Sequence, residues 1–115
     1  MSTTAQISVD QIDGWTVARL NGELDMTNCT YVREELTRSV PSEASGMVAD
    51  LSGTLYLDSA AIEMLFEMAR RLGRRRQRLQ IVLPPASPLQ RVLQLTDVKA
   101  VAPIHETVSA ALAAP

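Results

Sequence analysis

The sequence predicts an α/β fold: one domain over residues 1–115, with a mixed central sheet of about four to five strands and about four helices. Three observations lead to this prediction. Short apolar runs alternate with segments of helical period, which is typical of strand–helix–strand units on a parallel sheet. Asp13-Gly14 separates the first two runs and predicts a hairpin, so one strand pair is antiparallel. The length of 115 residues and the apolar content of 46% suit a single core.

The first part of the chain is expected to hold the hairpin and one helix. In order, we predict a frayed segment at 1–6, strands at 7–9 and 15–20, a loop from Gly22 to Asp25, and a helix from Thr27 or Asn28 to about Val40. The first residues are small and polar, which is typical of a loose terminus. The helix is predicted because its apolar residues recur on one face and because Thr27 or Asn28 can cap it.

The second part of the chain alternates strands and helices. In order, we predict a strand at 47–51, a tight loop at 52–57, a helix from Ala60 to about Leu72, a strand at 79–83, a helix from Ser87, a strand at 100–102 and a helix from His105 to Leu112. The continuous apolar runs at 47–51 and 79–83 are typical of buried parallel strands. Gly73 is a suitable helix stop, and Ser87-Pro88 have the order of a cap and a first helical residue.

The composition argues against several classes of function. A net charge of −2 and only four aromatic residues do not support nucleic-acid binding. One cysteine and one histidine cannot build a structural zinc site, and the five scattered glycines form no phosphate loop, so we expect no metal, no cofactor and no enzyme. No apolar run approaches the ~20 residues of a membrane span. The absence of a cysteine pair suits the cytoplasm, and we expect Cys29 to pack in the core.

Asp58-Ser59 lies where a predicted strand and loop give way to an amphipathic helix. In an α/β sheet this is the carboxyl end of a strand, where ligands and partners usually meet the fold. The Ser59 hydroxyl can cap the helix, which contributes about 1 kcal/mol. Alternatively, the free N–H groups and partial positive charge of a helix start would accept a phosphate on Ser59, making the residue a switch. The spacing alone leaves both interpretations open.

Three short motifs resemble the signatures of the STAS domain family. They are 22–25 (Gly-Glu-Leu-Asp), 50–53 (Asp-Leu-Ser-Gly) and 57–62 (Leu-Asp-Ser-Ala-Ala-Ile). The segment 88–98 and the closing helix near Thr107 also resemble the third and fourth helices of that family. The resemblance covers nearly the whole chain and implies a STAS-like domain. A chain of this size is similar to stand-alone bacterial anti-sigma factor antagonists.

The resemblance implies a protein-binding switch. In that family the unphosphorylated antagonist sequesters an anti-sigma factor, which is also a serine kinase of the histidine-kinase-like ATPase type. Phosphorylation releases the pair, and a phosphatase resets the switch. By the same resemblance, Ser59 matches the phosphoacceptor, Asp58 the acid before it, and Asp25 the loop beside it. Related domains also serve as accessory or adaptor domains of transport and signalling complexes without being phosphorylated, and that is the alternative function.

The chain departs from the family pattern directly after Ser59. Family members commonly have Asp-Ser-Ser-Gly, whereas this chain has Asp58-Ser59-Ala60-Ala61. Ala60 removes a neighbouring hydroxyl, and Ala61 replaces a glycine that would let a partner backbone approach closely. Because alanine favours a helix over glycine by about 1 kcal/mol, we expect a firmer helix start. Asp25, Asp58, Ser59 and Ala60 are the expected partner-binding residues, together with Met64.

Two groups of side chains on the Ser59 helix have two interpretations each. Met64 and Met68 lie four residues apart on the flank of the helix, either at the edge of the core or as a strip that contacts a partner. Six of the eleven basic residues are arginines within 70–78. We expect a solvated helix end that the helix dipole favours, with a patch for an anionic partner as the alternative.

Overall fold

The computed structural model describes residues 5–114. In chain order the elements are β1 (Ala5–Ile12), β2 (Trp15–Leu24), α1 (Cys29–Ser39), β3 (Gly46–Asp50), β4 (Thr54–Leu57), α2 (Ser59–Arg74), β5 (Arg78–Val82), α3 (Gln90–Leu95), a single 3₁₀ turn (Val98–Ala100), β6 (Ile104–His105) and α4 (Val108–Ala113). The expectation of a frayed segment at 1–6 falls outside the described residues for 1–4. It is wrong for Ala5 and Gln6, which belong to β1.

The strands form one mixed sheet in the order β1-β2-β3-β5-β6, with β4 beside the far end of β2. The β1–β2 hairpin is antiparallel and turns at Asp13-Gly14, where both residues have positive φ. The other pairings are parallel, and β4 joins β2 beyond a register shift at Gly22 and Glu23. The predicted α/β class, mixed sheet and four helices are confirmed.

Two predictions about strands are wrong. The segment 52–57, predicted as a loop, contains β4, so the sheet has six strands. The strand predicted at 100–102 is displaced to Ile104–His105, and the 3₁₀ turn takes its place. The displacement follows from backbone bonding, because the Ile81 amide donates to the Pro103 carbonyl and the Leu83 amide donates to the His105 carbonyl.

The core lies on both faces of the sheet. The larger cluster packs α1, α2 and α3 against one face and contains Leu20, Leu36, Leu65 and Ile81. A smaller cluster on the opposite face centres on Trp15, Val17, Val48 and Val82 and is covered by α4 through Ala111. The sheet is therefore buried on both sides over its centre, as the continuous apolar runs predict.

Helix α2 is longer than predicted, since it continues through Gly73 to Arg74. Gly73 lies inside the helix, is exposed and has open space where a β-carbon would stand, so the prediction that it stops the helix is wrong. The helix ends where Arg76 adopts a left-handed φ of 59°. There the Arg76 amide donates to the Gly73 carbonyl and the Gln77 amide donates to the Leu72 carbonyl, which is the Schellman arrangement.

A buried glutamine in β5 fastens the end of the chain to the sheet. Gln80 is 2% exposed. Its Nε2 donates to the Ala111 carbonyl at 3.0 Å, and its Oε1 lies 2.6 Å from Nε2 of His105. One amide side chain thus bonds both β6 and α4, and each of its polar atoms has a partner, as burial requires.

Candidate functional site

Asp58 joins the start of α2 to the loop that follows β2. Its Oδ1 accepts a hydrogen bond from the Ala61 amide at 2.9 Å, and its Oδ2 accepts one from the Met26 amide at 2.9 Å. The Asp58 amide in turn donates to the Leu24 carbonyl at 3.2 Å. Asp58 is therefore the N-cap of α2 and also the residue that binds the β2–α1 loop to it.

Of the two interpretations of Ser59, the one in which its hydroxyl caps the helix is wrong. Ser59 is the first helical residue, and the carboxylate before it occupies the capping position. The Ser59 side chain is exposed and makes no hydrogen bond to any described residue. Aspartate and serine are equally good caps, so the choice between them depends on where the preceding strand ends, and β4 ends at Leu57.

Asp25 organises the β2–α1 loop beside Ser59. Its Oδ1 accepts hydrogen bonds from the amide and the hydroxyl of Thr27, at 2.9 and 2.5 Å. The Asn28 side chain accepts from the Asp25 amide and donates to the Glu23 carbonyl, at 3.1 and 2.9 Å. Neither Thr27 nor Asn28 caps α1 with its side chain, which corrects the prediction, because both side chains are used to fold the loop.

A depression of about 420 Å³ lies between α1 and α2, next to Ser59. Its lining is apolar at Ala60 and Met64 of α2 and at Met26 and Cys29 on the other side. Polar and charged residues complete it: Thr30, Arg33, Glu63, Glu67 and Arg70. Met64 is only 4% exposed, so it forms the floor of the depression and not a raised strip. Met68 is buried in the main core, so both methionines belong to the apolar face of α2, and the interpretation as core residues is the correct one.

Three large apolar side chains near this end of the molecule are exposed. Met26 is 77% exposed, Leu55 69% and Tyr56 49%. Met26 belongs to the loop that Asp58 holds, and Leu55 and Tyr56 belong to β4, just before Asp58. Sequence reasoning missed them because it read 52–57 as a loop; the apolar pair Leu55-Tyr56 beside Asp58 was the available signal.

The charges and burial around Cys29 keep its thiol protonated. Burial, and then the carboxylates of Asp58 and Asp25, raise the pKa of the Cys29 thiol to about 11. The prediction that Cys29 packs in the core is confirmed. A protonated, buried thiol is a poor nucleophile, so Cys29 contributes shape to the depression and not reactivity.

The described residues 5–114 contain no group of three or more His, Cys, Asp or Glu side chains placed to hold a metal ion. Over the same residues, no helix has both the length and the apolar character needed to cross a membrane. What the site offers is an exposed hydroxyl, a preformed loop and exposed apolar side chains, which are features of a surface that binds a protein.

The chain is similar to known proteins over most of its length. The chain is 26% identical to BtrV of Bordetella bronchiseptica, which is assigned as an anti-sigma factor antagonist, over 95% of this chain and 93% of that protein. It is 29% identical to sulfate transporter 3.2 of Arabidopsis thaliana over 85% of its own length, but spans only 17% of that transporter. The crystal structure of an anti-sigma factor antagonist from Mycobacterium paratuberculosis superposes with a TM-score of 0.80 at 25% identity, covering 96% of this chain and 92% of that one. The family model for the STAS domain matches residues 6–111, and the chain therefore belongs to the STAS domain family.

Proposed function

We propose that this protein is an anti-sigma factor antagonist whose binding surface is switched by phosphorylation of Ser59. The proposal rests on one observation: of two adjacent side chains, one makes the structural hydrogen bonds and the other makes none. Asp58 makes the structural bonds of the helix start, and this leaves the Ser59 hydroxyl exposed and unbonded among the described residues. Because the hydroxyl makes no hydrogen bond that stabilises the fold, its phosphorylation need not lower the free energy of unfolding.

The helix start is suited to a phosphate on Ser59. The first N–H groups of a helix have no acceptor within the helix, and they carry a partial positive charge. Asp58 uses the Ala61 amide, which leaves the amides of Ser59 and Ala60 for an anion. Asp58 and Asp25 lie on the same side and add negative charge, so the phosphate is better placed to repel a partner than to remodel the domain.

The proposed partner is an anti-sigma factor that is also a serine kinase of the histidine-kinase-like ATPase type. It would contact Asp25, Asp58, Ser59 and Ala60, and it would insert an apolar side chain over Met64 into the depression beside α2. Phosphorylation adds about −1.5 to −2 charges at the centre of this surface, and burying that charge unpaired is strongly unfavourable. A phosphatase would restore binding. This cycle places the protein in the cytoplasm.

A second candidate is a constitutive adaptor domain in a transport or signalling complex. The similarity to one part of a sulfate transporter favours it. So do Ala60 and Ala61, at positions where family members commonly have Ser and Gly. In this role the exposed side chains of Met26, Leu55 and Tyr56 would bind a partner permanently.

The intact mass of the protein isolated from its native cells decides between the two. The switch predicts a fraction heavier by one phosphate, which phosphatase treatment removes and which is absent from the matched Ser59→Ala variant. A single unmodified mass under all growth conditions, together with equal capture of the same partners by the parent and by Ser59→Asp, would establish the adaptor instead.

A further inference from the structure

We propose that the end of α2 opposite Ser59 is a second binding site, which takes an acidic segment of a protein. The site consists of Arg71, Arg74, Arg75 and Arg76 and is named the arginine surface below. It lies on the last turn of the 16-residue helix and on the two residues that follow, so about 24 Å separates it from the Ser59 end. It goes beyond the proposed function and does not depend on it.

The first observation is the conformation of Arg76. In a Schellman ending this position is left-handed and is usually glycine, because a β-carbon is strained there. Arg76 nevertheless occupies it with φ of 59°. Residues held in strained conformations are retained where the surroundings or a function require them. The Arg76 guanidinium makes no hydrogen bond or ion pair with any described residue, so no polar contact in the fold accounts for this side chain.

The second observation is the charge that surrounds Arg76. Residues 70–78 hold six arginines and no acidic residue, although the whole chain has a net charge of −2. Arg70 and Arg71 are partly neutralised by Glu67, at 2.7 and 3.1 Å. Arg74, like Arg76, has no ion-pair partner within residues 5–114. The uncompensated charge is thus concentrated at the tip of the helix.

The third observation is a shaped depression beside these arginines. It measures about 340 Å³ and is lined by Arg71 and Arg74 of α2, by Arg75 just after the helix and by Thr37 of α1. Glu67 also lines it, and the carboxylate of Glu67 is already paired with Arg70 and Arg71. Arg75 is held in place because its Nη2 donates to the Val40 carbonyl at 3.2 Å. Guanidinium groups bind carboxylates through paired hydrogen bonds, so a side-chain carboxylate is the group that suits such a depression.

Two features favour an acidic protein segment over other polyanions. Among the described residues, none of the exposed large apolar side chains lies within 70–78, so nothing there would insert into a lipid surface. Within 70–78 of the described chain, Arg78 lies 5.4 Å over the ring of Trp15, and that ring is buried and not available to stack on a base. Separate carboxylates on a peptide match both the depression and the unpaired guanidinium groups around it.

The test measures the affinity of the full chain for an oligoglutamate peptide at low and at physiological ionic strength. We expect binding that weakens with salt, and a loss of at least about fivefold when Arg74→Gln and Arg76→Gln are combined. Arg91→Gln, an exposed arginine on α3, is the matched control and should change the affinity less than about twofold. Ser59→Asp should also leave it within about twofold, so a failure of the proposed switch is distinguished from a failure here.

The Arg76→Gly variant distinguishes the contribution of the Arg76 side chain to peptide binding from the strain of its left-handed backbone. We expect it to raise the melting temperature by roughly 2–4 °C while weakening the peptide, because glycine relieves the left-handed backbone and removes the charge. Arg76→Lys should keep most of the affinity and gain no stability. Any of three results would overturn the proposal. The first is an equal loss of affinity in the Arg91 variant and the Arg74/Arg76 variant, and the second is an unchanged affinity of Arg76→Gly. The third is arginine-dependent binding to anionic vesicles or to a single-stranded oligonucleotide that is tighter than binding to the peptide.

Discussion

The Asp58 carboxylate binds the Met26 amide across 32 positions of the sequence, at 2.9 Å, while its other oxygen caps α2 at Ala61. One side chain therefore sets both the first turn of the helix and the loop beside it. Ser59 follows Asp58 directly but takes part in neither of these two hydrogen bonds. The position of its hydroxyl is determined by its neighbour.

Asp58→Ala should cost about 1–3 kcal/mol of unfolding free energy, because it removes a helix cap and a charge-assisted hydrogen bond to the loop. Asp58→Asn should lose less, since the amide oxygen can still accept from Ala61. Ser59→Ala is the control and should stay within about 0.5 kcal/mol of the parent. Urea titration of the variants measures these differences, and a Ser59→Ala loss equal to that of Asp58→Ala would mean that the serine is the cap.

Ser59→Ala should bind the anti-sigma partner constitutively, and Ser59→Asp should fold but bind at least about tenfold more weakly, a difference of ~1.4 kcal/mol. The reason is that an uncompensated charge at the centre of the surface must be buried on binding. Calorimetry with the purified partner measures both affinities. Equal affinities for the two variants would rule out a charge switch at this residue.

Leu65→Ala should cost roughly 2–5 kcal/mol, since Leu65 is 1% exposed in the core between α2 and the sheet. Leu55→Ala removes the same atoms from an exposed position on β4 and should change stability by less than about 0.5 kcal/mol. Thermal or urea unfolding gives both values. Similar losses for the two leucines would contradict the assignment of the helix face.

Gly46→Ala should destabilise the protein by roughly 3 kcal/mol or more. A β-carbon at Gly46 would lie 1.9 Å from the backbone carbonyl oxygen of Arg78, and φ is 154°. Gly53→Ala is the matched control, because there the clash is with the end of the Asn21 side chain, which can rotate away. The yield of folded protein and its melting temperature compare the two, and Gly46→Ala must be clearly the worse.

The stability conferred by Cys29 should depend on pH above neutrality. The pKa of its thiol is raised from 9.0 to about 11 in the folded state, chiefly by burial. Between these values the unfolded chain loses the proton and the folded chain keeps it, so stability falls as pH rises. From pH 9 to 11 the parent should lose roughly 2 kcal/mol more than Cys29→Ala does. Parallel pH profiles of the two proteins would contradict a raised pKa.

The periodic elements of the fold could be predicted from local patterns. The apolar runs of β3 and β5 and the apolar faces of α1 and α2 each lie within one stretch of sequence. Strand β4 could not be predicted in this way. Its outer residues Thr54 and Leu57 are buried while the two between them are exposed, which matches neither an alternating nor a continuous strand pattern. Its existence depends on the far end of β2, and pairing between distant segments leaves no local signal.

The sequence predicted a helix start at Asp58-Ser59, which the structure confirms, but it did not predict the hydrogen bonds made there. Asp58 and Ser59 both suit a helix cap, and only the end of β4 decides between them. The hydrogen bond between the Met26 amide and Asp58 joins the loop after β2 to the start of α2. These segments are distant in sequence and meet because β4 lies beside β2 in the sheet. The left-handed Arg76 had no sequence signal either, because glycine at position 73 marked a different helix end.

The amide of Gln80 also decides which nitrogen of His105 carries hydrogen. Its Nε2 is committed to the Ala111 carbonyl, so only Oε1 faces the imidazole, and an oxygen there requires a hydrogen on Nε2 of the ring. With the hydrogen on Nδ1 instead, two acceptors would face each other and the bond would be lost, so the sheet holds the last strand by selecting one tautomer of the ring.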